Sequence, residues 1–293
     1  MKFYNRSMRC DLHVHTVHSG LCNIPVISAF CLESYSEPEA VYSKLKRRGM
    51  SLVTITDHDS VGAGDELRRH ADFFVSEEVT CTLPGGSEMH VGVYDISDRQ
   101  HIELQQRRDD FESLISYLRE QNLFFSANHI FSSLTGTRTA ADFECFESFF
   151  DAFEVLNGCM LEVTNRSAAE FAAKCGKVAL GGSDAHTLST TGCCWTEVAG
   201  ARNKGEFFSG LRQGRGAVHG NQGSYLKLTR DIVEIGLAMV TSNPLTAPVA
   251  LLGGLVPIIT LINYIREKKF AYHWSRRVAI AASRESAICE VAA

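Results

Sequence analysis

The segment Asp11-Leu12-His13-Val14-His15-Thr16 carries two histidines two residues apart. On an extended chain, residues i and i+2 face the same way, so both imidazoles aim at one volume. Two neutral imidazoles with a common aim form half of a site for zinc, manganese or iron. An H-x-H pair on a surface strand also arises by chance, so this pair alone decides nothing. The pattern recurs. Thr56-Asp57-His58-Asp59 follows the apolar run Leu52–Ile55, and Gly182-Ser183-Asp184-Ala185-His186 follows Val178–Gly181. Glu78 lies late in a β-rich run, His90 lies within Glu88-Met89-His90-Val91-Gly92-Val93, and His129 ends Phe124-Phe125-Ser126-Ala127-Asn128-His129. Six of the eleven histidines thus belong to expected strand ends, a distribution that solvated histidines would not show. Parallel-sheet enzymes gather their chemistry at strand carboxyl ends, which meet on one face.

The residue types narrow the reaction. Histidines with Asp and Glu suit two or three divalent ions bridged by carboxylate and hydroxide. Two such ions about 3.5–4 Å apart generate hydroxide at neutral pH and clamp phosphoryl oxygens, which makes the expected chemistry hydrolytic. A structural zinc would need only four ligands in a closed site.

The elements that must position these groups read as alternating strands and helices. Strands are expected at Cys10–His15, Leu52–Thr56, Phe73–Thr80, Met89–Tyr94, Leu123–Asn128, Ala152–Leu156 and Val178–Gly181. Helices are expected at Pro38–Arg48, capped by Ser36 and stopped by Gly49, and at Asp65–Ala71, Asp98–Gln121, Ala140–Phe150, Ser167–Cys175 and Lys204–Gly214. That rhythm predicts an α/β fold with parallel strands covered by helices, and fits an open sheet or a closed barrel equally. No internal repeat of 20–50 residues stands out. Ile235–Ile265 is free of charge and is followed by Arg266, Lys268, Lys269, Arg276 and Arg277. It reads as a packed helical extension interrupted by Pro244, Pro248, Pro257 and Gly253-Gly254, as an oligomer interface, or as a membrane contact with a basic flank.

The chain has 293 residues, 34 acidic against 29 basic side chains and a formal net charge of −5. That length suits one large domain with a small appendage, here residues 1–225 and 226–293. Mild acidity argues against a general nucleic-acid coat protein. Ten cysteines without a C-x-x-C pair read as free thiols of a reduced, cytoplasmic protein, and Met1–Cys10, with no apolar run, does not read as a secretory signal.

The ordered set Asp11-Leu12-His13-Val14-His15, Ile55-Thr56-Asp57-His58, Glu77-Glu78-Val79, Met89-His90-Val91-Gly92, Ala127-Asn128-His129 and Gly182-Ser183-Asp184-Ala185-His186 resembles the PHP (polymerase and histidinol phosphatase) family. Each motif is weak; their order over residues 10 to about 200 is specific. The resemblance implies a distorted seven-stranded (β/α) barrel and a metal-dependent phosphoesterase. It implies a first metal on His13, His15, Glu78 and Asp184, with Glu78 bridging to a second on His90 and His129. His58 and His186 then serve a third metal or contact the phosphate, and Asp57 either joins the site or orients a histidine. Two departures stand out. The positions where many members carry a further third-metal ligand are Gly20 and Leu21, so His18 or Cys22 substitutes or the site is dinuclear. Ile130 replaces the usual proline after His129.

Arg138 and Arg166 are candidate phosphate ligands, Asn157-Gly158 is a candidate rim turn, and Cys193-Cys194 reads as packing. His70, His101, His219 and His273 read as surface residues. The expected function is a metal-dependent phosphohydrolase acting on a phosphate monoester of a small metabolite or nucleotide, with two or three divalent ions (Zn, Mn or Fe) as cofactors. His58, His186 and Asp57 are its candidate catalytic groups. The alternatives are a nuclease acting on nucleic-acid ends, which the net charge and the short interval between His90 and His129 disfavour, and a non-catalytic metal-binding module docked through 235–265 to a membrane or partner.

Overall fold

The computed structural model describes residues 7–22 and 28–292, without the side chains of 250 and 280–292. The signal-free reading of the N-terminus therefore falls largely outside the described residues, as does the side chain of Cys289.

The chain builds two sheets. Strand β1 (Ser7–Cys10) pairs antiparallel with β7 (Cys194–Ala199), which pairs antiparallel with β8 (Gly216–Gly220). The second sheet runs in the order β2 (Ser76–Thr82), β3 (Glu88–Tyr94), β4 (Phe124–Ala127), β5 (Ala152–Asn157), β6 (Val178–Gly182). Its β2–β3 and β3–β4 pairs are antiparallel, and only β4–β5 and β5–β6 are parallel. Neither the parallel order expected from the alternation nor the distorted seven-stranded barrel implied by the resemblance is therefore what the ladders form. The segments after β1 and around Leu52–His58 carry single bridges, Val14 to Ala185, Val53 to Phe73 and His58 to Glu78, instead of continuous ladders. These bridges lash the two sheets together where the histidines lie. Strands β7 and β8, absent from the expected set, extend the β1 edge.

The helices follow local chemistry. Helix α1 (Pro38–Arg47) has proline in its first turn, where a missing N–H costs nothing, buries Val41 and Leu45, and stops before Gly49 at φ 83°. Its N-cap is Glu37, not Ser36. A short α2 (Ala63–Leu67) follows. The single long helix expected over 98–121 is two, α3 (Asp98–Arg107) and α4 (Phe111–Glu120). Asp110 breaks the run because its carboxylate accepts the Ser113 N–H and so caps a new helix. Helices α5 (Ala140–Phe149), α6 (Glu162–Lys174) and α7 (Lys204–Arg212) complete the main body.

An aromatic core fills the space between α3–α6 and the larger sheet, with Phe125, Phe131, Phe143, Phe146, Phe150, Phe153 and Phe171 all buried. Helices α8 (Tyr225–Ser242) and α9 (Val256–Ala292) flank a 3-10 stretch, Pro244–Leu255. The extension is partly docked. Trp274 of α9 lies 5.3 Å from the Phe143 ring, and Ala271 packs with Leu161 and Val163. Glu267 accepts hydrogen bonds from the Ser132 hydroxyl and the Ser133 N–H. Leu245, Leu251, Leu252, Ile258, Ile259 and Ile262 face outward. Pro244–Ala279 is long and apolar enough to cross a membrane by length and composition alone.

Candidate metal centre

Backbone pairing fixes the two leading histidines. The His15 N–H donates to the Ala185 carbonyl (3.1 Å), the Asp184 N–H to the His13 carbonyl (2.6 Å), and the Thr56 N–H to the Val14 carbonyl (2.9 Å). His13 and His15 therefore lie between the Asp184 turn and the Asp57-His58 segment. Gly182 makes this approach feasible: a Cβ there would stand 2.3 Å from the His13 Cβ and 2.6 Å from its nitrogen. His129 (φ 31°) and Asp184 (φ 50°) hold left-handed backbone conformations that non-glycine residues seldom adopt. Such strain clusters where a side chain must be aimed at a site.

Glu78 is the hub. Strand alternation sends it to the face opposite its neighbour Glu77, and the antiparallel register sets His90 on the same face. Its Oε2 stands 3.1 Å from His13 Nε2, 3.3 Å from His58 Nδ1 and 3.5 Å from His15 Nε2. Its Oε1 stands 3.3 Å from His129 Nε2 and 3.5 Å from His90 Nδ1. Asp184 Oδ1 approaches His15 Nε2 (3.4 Å), His13 Nε2 (3.5 Å) and His186 Nδ1 (3.7 Å). The ligand atoms fall into four overlapping trios, each within 4.8 Å: His13–His15–Asp184, His13–Glu78–His129, His58–Glu78–His90 and His15–His58–His186. All eight side chains singled out from the sequence are brought together in these trios.

The donor set fits divalent cations. Nitrogens of His15, His58, His90, His129 and His186 are buried with no hydrogen-bond partner, an expensive state for a polar atom unless something else satisfies it. Burial, with repulsion from His186, lowers His15 to a pKa of about 4, and burial lowers His58 to about 3, so both are neutral ligands at pH 7. Burial works against ionised Glu78 and Asp184 too, but the surrounding imidazoles outweigh it and hold both well below the ordinary carboxylate range. For His13, burial is outweighed by Glu78, Asp184 and Glu154, which raise it well above the ordinary value.

Around the trios lies a buried scaffold in which Asn128, Asn157 and Asp57 were singled out from the sequence and Glu154 was not. Glu154 Oε1 stands 2.8 Å from His13 Nδ1, and Asn157 Nδ2 donates to both Glu154 (2.9 Å) and Asp184 (3.0 Å). Asn128 Nδ2 donates to Glu78 Oε1 (2.8 Å). The sequence signal for Glu154 is a lone acid inside the apolar strand Phe153-Glu154-Val155. Asp57 accepts from the Thr16 N–H (2.6 Å), the Thr16 hydroxyl (2.7 Å) and the Ser19 hydroxyl (2.8 Å). Ser19 Oγ in turn stands 2.9 Å from His15 Nδ1, so Asp57 reaches the site through Ser19 and orients His15. Glu33, from a loop without motif character, has Oε2 3.4 Å from His58 Nε2 and Oε1 3.9 Å from His186 Nε2.

Other candidates lie elsewhere. Arg138 is buried and turned into the protein, donating to the carbonyls of Ile130 and Glu88 and to Thr135, so it braces the loop after His129. Arg166 is exposed on α6 and pairs only loosely with Glu170, at 3.9 Å. His18 and Cys22 lie outside the four trios. His18 faces Glu66 at 3.6 Å, and Cys22 packs with Cys31 and Met239. Three histidines expected on the bare surface have partners: His101 Nδ1 lies 2.9 Å from buried Glu77, His70 stacks on Tyr42 at 3.8 Å, and His219 stacks on Trp195 at 5.6 Å.

A scaffold that brings eight His, Glu and Asp side chains together in overlapping trios could hold divalent cations. Residues 163–215, which include the Asp184-Ala185-His186 motif, match the PHP-associated family model. The match takes in the last of the ordered motifs that carry the resemblance to the PHP family, and the earlier ones converge with it in space. A 62-residue stretch is 32% identical to an uncharacterised protein of Methanocaldococcus jannaschii, and covers 21% of this chain and 35% of that protein's length. Among solved structures, PsfC from Pseudomonas syringae matches with a TM-score of 0.53 at 14% identity, over 80% of this chain and 99% of that one. A protein assigned as a metal-dependent phosphoesterase from Bifidobacterium adolescentis matches with a TM-score of 0.45 at 13% identity, over 62% of this chain and 88% of that one.

Proposed function

We propose that the protein is a metal-dependent phosphohydrolase that cleaves a phosphate monoester of a small metabolite or nucleotide. The observation that carries this reading is Glu78, a buried carboxylate with an imidazole nitrogen from five histidines within 3.5 Å of its two oxygens. In that arrangement His13, His15, Glu78 and Asp184 would hold one divalent cation and Glu78, His90 and His129 a second. Zinc, manganese and iron all suit this nitrogen–oxygen set. Such ions supply Lewis acidity and a nucleophilic hydroxide at neutral pH.

The chain's own residues do the rest. Glu154 and Ser19 grip the outer nitrogens of His13 and His15, leaving Nε2 of each ring aimed inward. Asn128 and Asn157 hold Glu78 and Asp184 at fixed angles. His58 and His186 are partly exposed on the same side and line the approach to the site. In this reading they would contact the phosphate or steady the leaving oxygen. Arg138 and Arg166, as oriented here, add no support for an arginine phosphate clamp.

A screen of phosphorylated metabolites and nucleotides with Zn²⁺, Mn²⁺ or Fe²⁺ tests the proposal. Turnover of a monoester that His13→Ala and Asp184→Ala each abolish, with the fold intact by circular dichroism, is the expected result. Full turnover by a metal-stripped His13→Ala/His15→Ala protein would defeat it. Cleavage of nucleic-acid ends alone would move the substrate to the nuclease class.

A further inference from the structure

The trio His15–His58–His186 is the weakest of the four as a cation site. It holds three imidazoles and no carboxylate, and His15 Nε2 already faces Asp184 and Glu78. A nitrogen lone pair serves one cation, so committing His15 to the first metal leaves two histidines here. We infer that Glu33 completes this third site, which the chain would build as a His58–His186–Glu33 set for a divalent cation. The inference rests on the metal-binding reading above and extends it to a residue outside every motif.

The distances favour a shared ion over direct contact. Glu33 lies 3.4 Å from His58 Nε2 and 3.9 Å from His186 Nε2, beyond the usual range of an N–H···O hydrogen bond. Donors bound to one cation at about 2.0–2.2 Å stand roughly 3–4 Å from one another. His186 Nε2 is a buried nitrogen with no hydrogen-bond partner, and Glu33 is the acid that faces it. The Glu33 side chain stays about a quarter exposed, so the site opens toward solvent and leaves room for further ligands.

The backbone explains how a distant residue arrives there. Leu21 and Leu32 form an antiparallel bridge, the Cys22 N–H donates to the Cys31 carbonyl (2.9 Å), and the Glu33 N–H donates to the Gly20 carbonyl (3.0 Å). Glu33 is thus paired across the bridge from Gly20, a position with no side chain to offer. The arm that carries Leu32 and Glu33 supplies a carboxylate at that spot. Buried Cys22 and Cys31 pack with Met239 of α8 and anchor the bridge.

Metal counting tests this. The full-length protein, Glu33→Gln and Glu33→His are equilibrated with Zn²⁺ and desalted, and bound zinc is measured by plasma mass spectrometry. The inference predicts three equivalents for the wild type, two for Glu33→Gln and three again for Glu33→His. In the Co²⁺-loaded protein, Glu33→Gln should remove one component of the visible d–d absorption and leave the rest. Glu33→Gln nearly preserves shape at a part-exposed position, and unchanged thermal melting of the metal-free proteins shows that the fold survives. An equal count in wild type and Glu33→Gln, whether two or three, overturns the role of Glu33 and leaves the hydrolase reading standing. No bound metal in the wild type overturns both.

Discussion

His13 is held between two buried carboxylates: its Nδ1 stands 2.8 Å from Glu154 Oε1 and its Nε2 3.1 Å from Glu78 Oε2. The two contacts have different uses. Glu154 on β5 is placed to fix the ring and raise its basicity from behind, while Glu78 on β2 faces the shared interior. Glu154→Gln keeps the shape and removes the charge. Metal affinity should fall about 10–100-fold, as for other carboxylates that brace a ligating histidine. Chelator competition checks this, and an unchanged far-ultraviolet spectrum shows that the fold persists.

The pH dependence of metal uptake follows from the same ring. Although burial opposes it, Glu78, Asp184 and Glu154 raise His13 well above its ordinary value, so in the metal-free protein it carries a proton near neutrality. A cation must displace that proton, so affinity should rise with pH from 6 to 8. His15, at about 4, and His58, at about 3, are already neutral there and release none. Calorimetry in buffers of different ionisation enthalpy measures the protons released. Uptake without proton release would contradict this electrostatic picture.

Gly182→Ala tests the close packing behind the ligands. The added methyl would meet the His13 Cβ at 2.3 Å, so the His13 segment must move. Overpacking of this kind costs about 1–3 kcal/mol. Urea unfolding should show that loss, and metal affinity should drop with it because His13 and Asp184 share the displaced backbone.

Trp274→Ala probes the docking of α9. The indole is buried against Phe143, and truncating a buried aromatic costs about 3–5 kcal/mol. A large loss in chemical unfolding is expected if α9 belongs to the same cooperative unit as the Phe-rich core. A change below about 0.5 kcal/mol, the size of an ordinary surface substitution, would show that the helix unfolds separately.

The site was more legible in the sequence than the sheet that carries it. His13 and His15, or Asp184 and His186, declare themselves because i, i+2 spacing beside an apolar run is a local signal. Glu154 and Glu33 act through partners 141 and 25 residues away, His13 and His58, and nothing in their own surroundings states that pairing. The alternation of strands and helices implied parallel order, yet β2, β3 and β4 pair antiparallel. The residues Pro84-Gly85-Gly86 between β2 and β3 are the local turn signal for the first of those hairpins. Asp110 split an apparently continuous helix because one capping carboxylate outweighs a helical pattern that runs through it.

The central claim is that His13, His15, Glu78, His90, His129 and Asp184 surround a common pair of divalent cations. Crystals grown with Zn²⁺ or Mn²⁺ and measured on both sides of the metal absorption edge test it directly. The account predicts two anomalous peaks that flank Glu78, one beside His13, His15 and Asp184 and the other beside His90 and His129, and a third between His58, His186 and Glu33. Anomalous density confined to other parts of the surface, with Glu78 and its histidines bound only to one another, would contradict it.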